Sequence, residues 1–193
     1  MKICFATNNQ NKLSEIQQIL GDQFHILSLQ DIECFDDIPE PYETLEENSA
    51  GKAEYIYSRY QIPVFADDTG LEITALKGAP GVYSARYGGP ERSAEQNMSK
   101  VLGELKEEQD RSARFRTIMT YIDHTGSYQF EGIVEGQIIN EVRGAGGFGY
   151  DPIFIPSGYS QTFGELPAKV KNKISHRVRS LARLVEFLKS RHN

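Results

Sequence analysis

Four short stretches of this chain hold side chains whose types and spacing suit chemistry on an anion. The first is TNNQNK at 7–12, between an apolar run and a helical pattern. At a strand–turn–helix junction, backbone N–H groups converge and the helix dipole adds partial positive charge, which favours a phosphate. Thr7, Asn8 and Asn9 offer side-chain donors, Gln10 and Asn11 continue the turn, and Lys12 supplies a full charge. This turn has neither the GxxxxGK[ST] nor the GxGxxG pattern, and a capped helix start is the plainer reading. The second is Asp67-Asp68-Thr69-Gly70, placed where the strand VFA ends. Neighbours on a strand face opposite ways, so one Asp can face a substrate while the other holds a turn. Such a carboxylate suits Mg²⁺ or the deprotonation of a water; an Asx turn is the alternative.

The third is GGFGYD at 146–151. Its glycines allow close approach of backbone to a ligand, Phe148 and Tyr150 can stack on a flat base, and Asp151 can accept from a ring N–H. A tight bend before the strand PIFI is the simpler account. The fourth is Lys171 with Ser175-His176-Arg177 at the start of the last helix. Cations in a first helical turn oppose the dipole, and a bound anion or an electron-rich base carbonyl offsets that cost. A solvated basic turn explains the same residues.

The elements that must position these residues alternate between strand and helix. Lys2–Ala6 reads as a buried strand, followed by helical spacing at Leu13, Ile16 and Leu20, and a second strand over Phe24–Leu29. Residues 31–47 read as loop, broken by Pro39 and Pro41, and 45–60 as helix. A short strand at VFA, another over Leu71–Leu76, a Gly-rich region at 78–89 and a helix over 91–107 follow. Residues 113–122 and 127–139 form a predicted hairpin around Asp123–Gly126. The last helix carries one apolar stripe through Ile174, Val178, Leu181, Val185 and Leu188. This order favours a mixed-sheet α/β or α+β fold.

Composition narrows the function classes. The 193 residues carry 21 Lys and Arg against 27 Asp and Glu, a net charge of −6, which argues against a nucleic-acid coat or a polybasic membrane binder. Eight acids and no Lys or Arg lie between Asp31 and Glu47, and the rest of the chain is net positive. From Ala168 onward eight Lys or Arg face a single acid, Glu186. Two cysteines, Cys4 and Cys34, are too few for a disulfide framework and show no zinc spacing. With no signal-like segment and no long apolar run, the expected location is cytoplasmic, with no membrane and no nucleic-acid partner. One domain over 1–193 is expected, without an obvious linker.

Taken together, ATNNQNKLSEI (6–16), EENSAGKA (46–53), FADDTGLEITALKGAPGVYSARYGG (65–89), GGFGYDPIFIP (146–156) and KISHRVRSLARL (173–184) resemble the inosine/xanthosine triphosphate pyrophosphatases, in order and spacing, over nearly the whole chain. The resemblance implies an α/β fold, elongated and two-lobed, with a mixed central β-sheet flanked by helices and a nucleotide cleft between the lobes. It implies Mg²⁺-dependent hydrolysis of dITP, ITP and XTP or dXTP to monophosphate and pyrophosphate, and a homodimer. Position by position, Thr7, Asn8, Asn9, Gln10, Asn11 and Lys12 match the phosphate-binding turn. Asp68 matches the catalytic proton acceptor and metal ligand, and Thr69 a small hydroxyl in the substrate site. Phe148, Gly149, Tyr150 and Asp151 match the nucleoside-binding loop, and Lys171, His176 and Arg177 the base-binding end. Glu40, eight residues before the Asn of EEN, falls at the second metal-associated carboxylate, with Glu43 as the fallback because the IPEPYETLEEN stretch departs from the usual pattern. Asn8 stands where many relatives have Gly. Two other readings stay open: a nucleotide-binding module without catalysis, and a pyrophosphatase for pyrimidine nucleotides.

Overall fold

The computed structural model describes residues 2–21 and 24–191. Strands β1 (Lys2–Phe5), β2 (His25–Leu27), β3 (Val64–Ile73), β4 (Pro80–Gly81), β5 (Ser112–Asp123), β6 (Gly126–Ile138) and β7 (Phe154–Pro156) form one sheet. Its order is β2-β1-β3-β5-β6-β7, with β4 paired to β3. The pairs β1–β2 and β1–β3 are parallel, whereas β3–β4 and β6–β7 are antiparallel, so the sheet is mixed as expected. The helices are α1 (Gln10–Leu20), α2 (Leu45–Tyr60), α3 (Ala94–Glu104), α4 (Ala168–Ile174) and α5 (His176–Ser190).

The chain divides into two compact units. The first holds residues up to Asp68, Thr117–Gly132, and those from Arg177 onward. Here the alternation of strand side chains assigns each residue to a face. Ile3, Phe5 and Phe65 pack with Leu13 and Ile16 of α1 and Leu181 and Leu184 of α5. Cys4, Ala6, Val64 and Ala66 pack on the other face with Ala53 and Ile56 of α2. Both cysteines are buried free thiols, and burial pushes Cys4 up to about 12, so its thiol is inert at neutral pH. Thr44 caps α2: its Oγ accepts from the Glu47 N–H at 3.1 Å and donates to the Glu47 carboxylate at 2.9 Å.

The second unit holds Thr69–Arg116 and Ile133–His176. Leu71 and Ile73 of β3, Ala113 and Phe115 of β5 and Val134 and Ile138 of β6 face Met98 and Val101 of α3, Phe154 of β7 and Phe163. Gly70 is obligatory here, since a Cβ would lie 2.6 Å from the Gly81 carbonyl oxygen.

Two expected boundaries differ. VFA does not end at Asp67-Asp68; β3 continues through both to Ile73, so the strand expected separately over Leu71–Leu76 is its last part followed by a turn, and its backbone is paired on either side. The terminal apolar stripe does not start at Ile174. Ser175 is extended (φ −64°, ψ 157°) and separates α4 from α5, and Ile174 packs into the second unit's core while Leu181 and Leu188 pack into the first's. The acidic stretch is irregular up to Leu45 apart from one 3₁₀ turn at Gln30–Ile32, close to expectation. Among the described residues, no helix is long and apolar enough to cross a membrane.

Candidate active site

The alternation along β3 decides the chemistry of the Asp pair. Asp67 shares the face of Phe65, toward α1 and α5; Asp68 shares the face of Ala66, toward α2. Asp67 accordingly meets Lys12 Nζ at 3.0 Å and Arg177 Nε at 3.3 Å, and its side chain is fully buried. Arg177 also pairs through Nη1 with Glu15 of α1. Asp68 faces Lys52 of α2, whose ammonium lies 3.7 Å from Asp68 and 2.5 Å from Glu40.

The surroundings push the two carboxyls apart. Burial works to raise Asp67, but Lys12, Arg177 and Lys52 outweigh it and hold it well below the usual carboxylate range. For Asp68, burial dominates and raises its proton affinity, with Lys52 and Lys12 opposing and Glu40 and Asp67 reinforcing. Burial lowers Lys12 against the pull of Asp67, whereas for Lys52 the charges of Asp68 and Glu40 overcome burial and raise it. Two adjacent carboxyls, one locked as an anion and one drawn toward the proton, fit a structural and a proton-accepting role respectively.

TNNQNK forms the turn into α1. Asn9 is its N-cap, its Oδ1 accepting from the N–H groups of Asn11 at 3.0 Å and Lys12 at 3.2 Å, so the capped helix start is real. Thr7 Oγ accepts from the Asn9 N–H, and the Asn8 amide donates to the Asp36 carbonyl. Gln10 and Asn11 are exposed in the first turn of α1. Asn48 of α2 bonds the backbone of Tyr42 through both its amide oxygen and its amide nitrogen, tying the segment after Glu40 to α2 near Lys52. Glu43 is exposed.

Glu40 and Asp68 are also the pair to test for a divalent ion. They converge on one cationic point, the Lys52 ammonium, so the arrangement favours positive charge between them. No cluster of three or more His, Cys, Asp or Glu able to hold a metal occurs among the described residues. Two carboxylates fit Mg²⁺, which keeps waters and binds substrate oxygens, and do not fit a caged Ca²⁺ or a tetrahedral zinc.

In the second unit, Asp151 Oδ2 accepts from the Phe148 N–H and from Lys171 Nζ, each at 2.7 Å. That closes the glycine turn and sets the ammonium 4.7 Å from the Phe148 ring centre. Gly147 makes this closure (φ +70°), where a Cβ would lie 2.1 Å from the Asp151 carboxylate; Gly149 is also left-handed (φ +63°). Tyr150 is a core residue, its hydroxyl donating to the Ser84 carbonyl at 2.7 Å. Thr69 is half-buried on β3. His176 opens α5, buried and stacked on Phe115.

The Ham1 family model matches residues 3–187, nearly the whole chain. This chain belongs to the Ham1 family. It is 48% identical over 188 residues to the dITP/XTP pyrophosphatase of Flavobacterium johnsoniae, covering 97% of this chain and 98% of that one. With the dITP/XTP pyrophosphatase of Porphyromonas gingivalis the identity is 50%, covering 97% of each. The solved Ham1 protein of Staphylococcus aureus superposes with a TM-score of 0.90 at 35% identity, covering 99% of this chain and 100% of that one. A Ham1 protein of Coxiella burnetii gives the same TM-score at 36% identity, covering 98% and 99%. The α/β class and mixed sheet therefore stand as Ham1 features.

Sequence reasoning passed over Lys52, Glu15 and the anchoring role of Asp67. Lys52 did leave a signal: Ser49, Lys52, Ala53 and Ile56 share the buried side of α2, where an unpaired ammonium cannot stay. Glu15, half-buried on α1, carried none.

Proposed function

We propose that this chain hydrolyses aberrant purine nucleoside triphosphates (dITP, ITP, XTP and dXTP) to the monophosphate and pyrophosphate. The observation that carries the reading is the split Asp pair, with Asp67 fixed by Lys12 and Arg177 and Asp68 raised beside Lys52. The names of the full-length relatives point to the same substrates. In this reading Asp68 accepts the proton of an attacking water. The water oxygen bonds to the α-phosphorus, the bond to the bridging oxygen breaks, and pyrophosphate leaves with the electron pair. Lys12 and Lys52 balance the charge that grows on the phosphate oxygens, the electrostatic part of such catalysis. Glu40 and Asp68 would hold Mg²⁺, which when bound supplies further neutralisation of the triphosphate.

The side chains of Thr7 to Lys12 serve the triphosphate, and Thr69 serves the substrate. Phe148, Gly149, Tyr150 and Asp151 serve the nucleoside. Lys171, His176 and Arg177 serve the base, where a donor aimed at a 6-oxo group is left unpaired opposite a 6-amino group. Each such mismatch costs about 1–3 kcal/mol, or roughly tenfold to hundredfold in selectivity. A homodimer in the cytoplasm completes the proposal, and sedimentation tests the oligomer.

The deciding experiment is product analysis with dITP, with and without Mg²⁺, beside a panel of other triphosphates. Pyrophosphate and dIMP are expected; orthophosphate and dIDP, or a preference for pyrimidine nucleotides, would overturn the reading. Asp68→Asn should lower kcat by about 10³-fold or more, the scale of lost general-base and charge stabilisation. Its circular dichroism should match the parent.

A further inference from the structure

The His176 side chain is buried at the start of α5. Ser175 before it is extended, and α5 begins at His176 itself. A histidine's second side-chain torsion is broad and nearly two-fold, so its rotamer alone does not set the plane of the ring. A flat neighbour contributes to setting it. The imidazole lies against Phe115 of β5 at 4.8 Å between ring centres and 28° between planes. Phe115 meets Phe154 edge-on, at 4.7 Å and 63°, and is tilted against Phe163 at 6.2 Å. Phe154 and Phe163 are fully buried and 5.4 Å apart. The Phe163 ring centre also lies 5.9 Å from Lys171 Nζ, so Phe115 and Phe163 lie against two of the groups assigned to the base.

We propose that Phe115 is a positioning residue for base selection, its ring fixing the plane in which the His176 imidazole meets the purine edge. The proposal rests on the reading of His176 as a base contact. Hydrogen bonds weaken steeply as donor and acceptor leave alignment, so tilting the imidazole erodes the contact that separates a 6-oxo from a 6-amino purine. Ring pairs of this kind contribute an amount equivalent to about two- to tenfold in an equilibrium, which bounds the expected loss of selectivity.

The test compares Phe115→Leu with Phe154→Leu and His176→Ala, reading kcat and KM for dITP and dATP and the His176 Cε1–H proton resonance. Phe115→Leu should lower the dITP:dATP ratio of kcat/KM about three- to tenfold, chiefly through the KM for dITP. It should also move the His176 resonance downfield as the ring current disappears. Phe154→Leu removes a ring from the same cluster and should cost comparable thermal stability while leaving the ratio within about twofold. Where Phe115→Leu does not fold, Phe115→Met keeps the volume without the plane and carries the same expectation. An unchanged ratio in Phe115→Leu or Phe115→Met, with a lowered ratio in His176→Ala, would overturn the role of Phe115 and leave that of His176 intact. An equal drop in Phe154→Leu would mark a general loss of packing and would also overturn it. An unchanged ratio in His176→Ala would overturn the base contact and the proposal with it.

Discussion

Replacing Lys52 by Met is the sharpest probe of the charge arrangement, because it removes one cation and keeps the volume of the side chain. At an effective dielectric of ~20, a unit charge 3.7 Å from Asp68 attracts it by about 4–5 kcal/mol. Burying the ammonium takes back much of this, and breaking a buried pair by removing one partner costs about 3–5 kcal/mol. The Glu40 side chain is 25% exposed, so water screens part of its loss and the lower end, about 3 kcal/mol, is expected. For a chain of this size that is a fall in Tm of roughly 6–12 °C. The pH dependence separates electrostatics from packing. With Lys52 gone, burial and the Glu40 charge raise Asp68 further with less opposition. The stabilisation lost is that of the ionised carboxylate, so the Tm gap to the parent should narrow as pH falls through the folded-state value of Asp68. The acidic limb of kcat/KM should move to higher pH, because Asp68 must be ionised to accept a proton. Calorimetry across pH 4–8 and a pH–rate profile with dITP read both. A Tm gap independent of pH, together with an unmoved acidic limb, would refute this account of Lys52.

Two further perturbations test the rest of the site. Asp67→Asn strands Lys12 and Arg177 without their shared anion and should destabilise the fold by about 3–5 kcal/mol. The parent's Asp67 carboxyl, depressed by those cations, contributes stability above the unfolded carboxylate value near ~4 and loses it as pH falls through the folded value, so the variant should flatten the acid side of the stability–pH curve; acid titration followed by circular dichroism reads this, and parallel curves would count against it. Gly147→Ala places a methyl 2.1 Å from the Asp151 carboxylate at a left-handed position, which must open the bonds to the Phe148 N–H and Lys171. The KM for dITP should rise by about tenfold or more, the size of one lost charge-assisted contact; an unchanged KM would show that this turn does not serve the nucleoside.

Much of the architecture was legible because local patterns carry it. The spacing of Leu13, Ile16 and Leu20 matches the buried side of α1, the predicted 45–60 helix coincides with α2, and the hairpin around Asp123–Gly126 joins β5 to β6. Two boundaries were not legible for the same reason. Asp67-Asp68 reads locally as a turn, and only buried cations drawn from α1, α2 and α5 keep two carboxylates inside a strand. The stripe from Ile174 to Leu188 has unbroken helical spacing, yet Ser175 divides it between two cores.

By itself, then, the sequence determined the residue types available for chemistry, the helices and strands that bear them, and the family to which the chain belongs. What only the tertiary structure decided is which charges meet. Lys12 and Asp67 are 55 residues apart, Arg177 and Asp67 110, and Glu40 and Lys52 lie on a loop and a helix with no shared periodicity. Periodicity reports which face a residue takes, because it follows from backbone geometry over a few residues. Pairing across the chain depends on which faces pack together, and low-dielectric burial then turns that packing into one depressed and one raised carboxyl on adjacent residues.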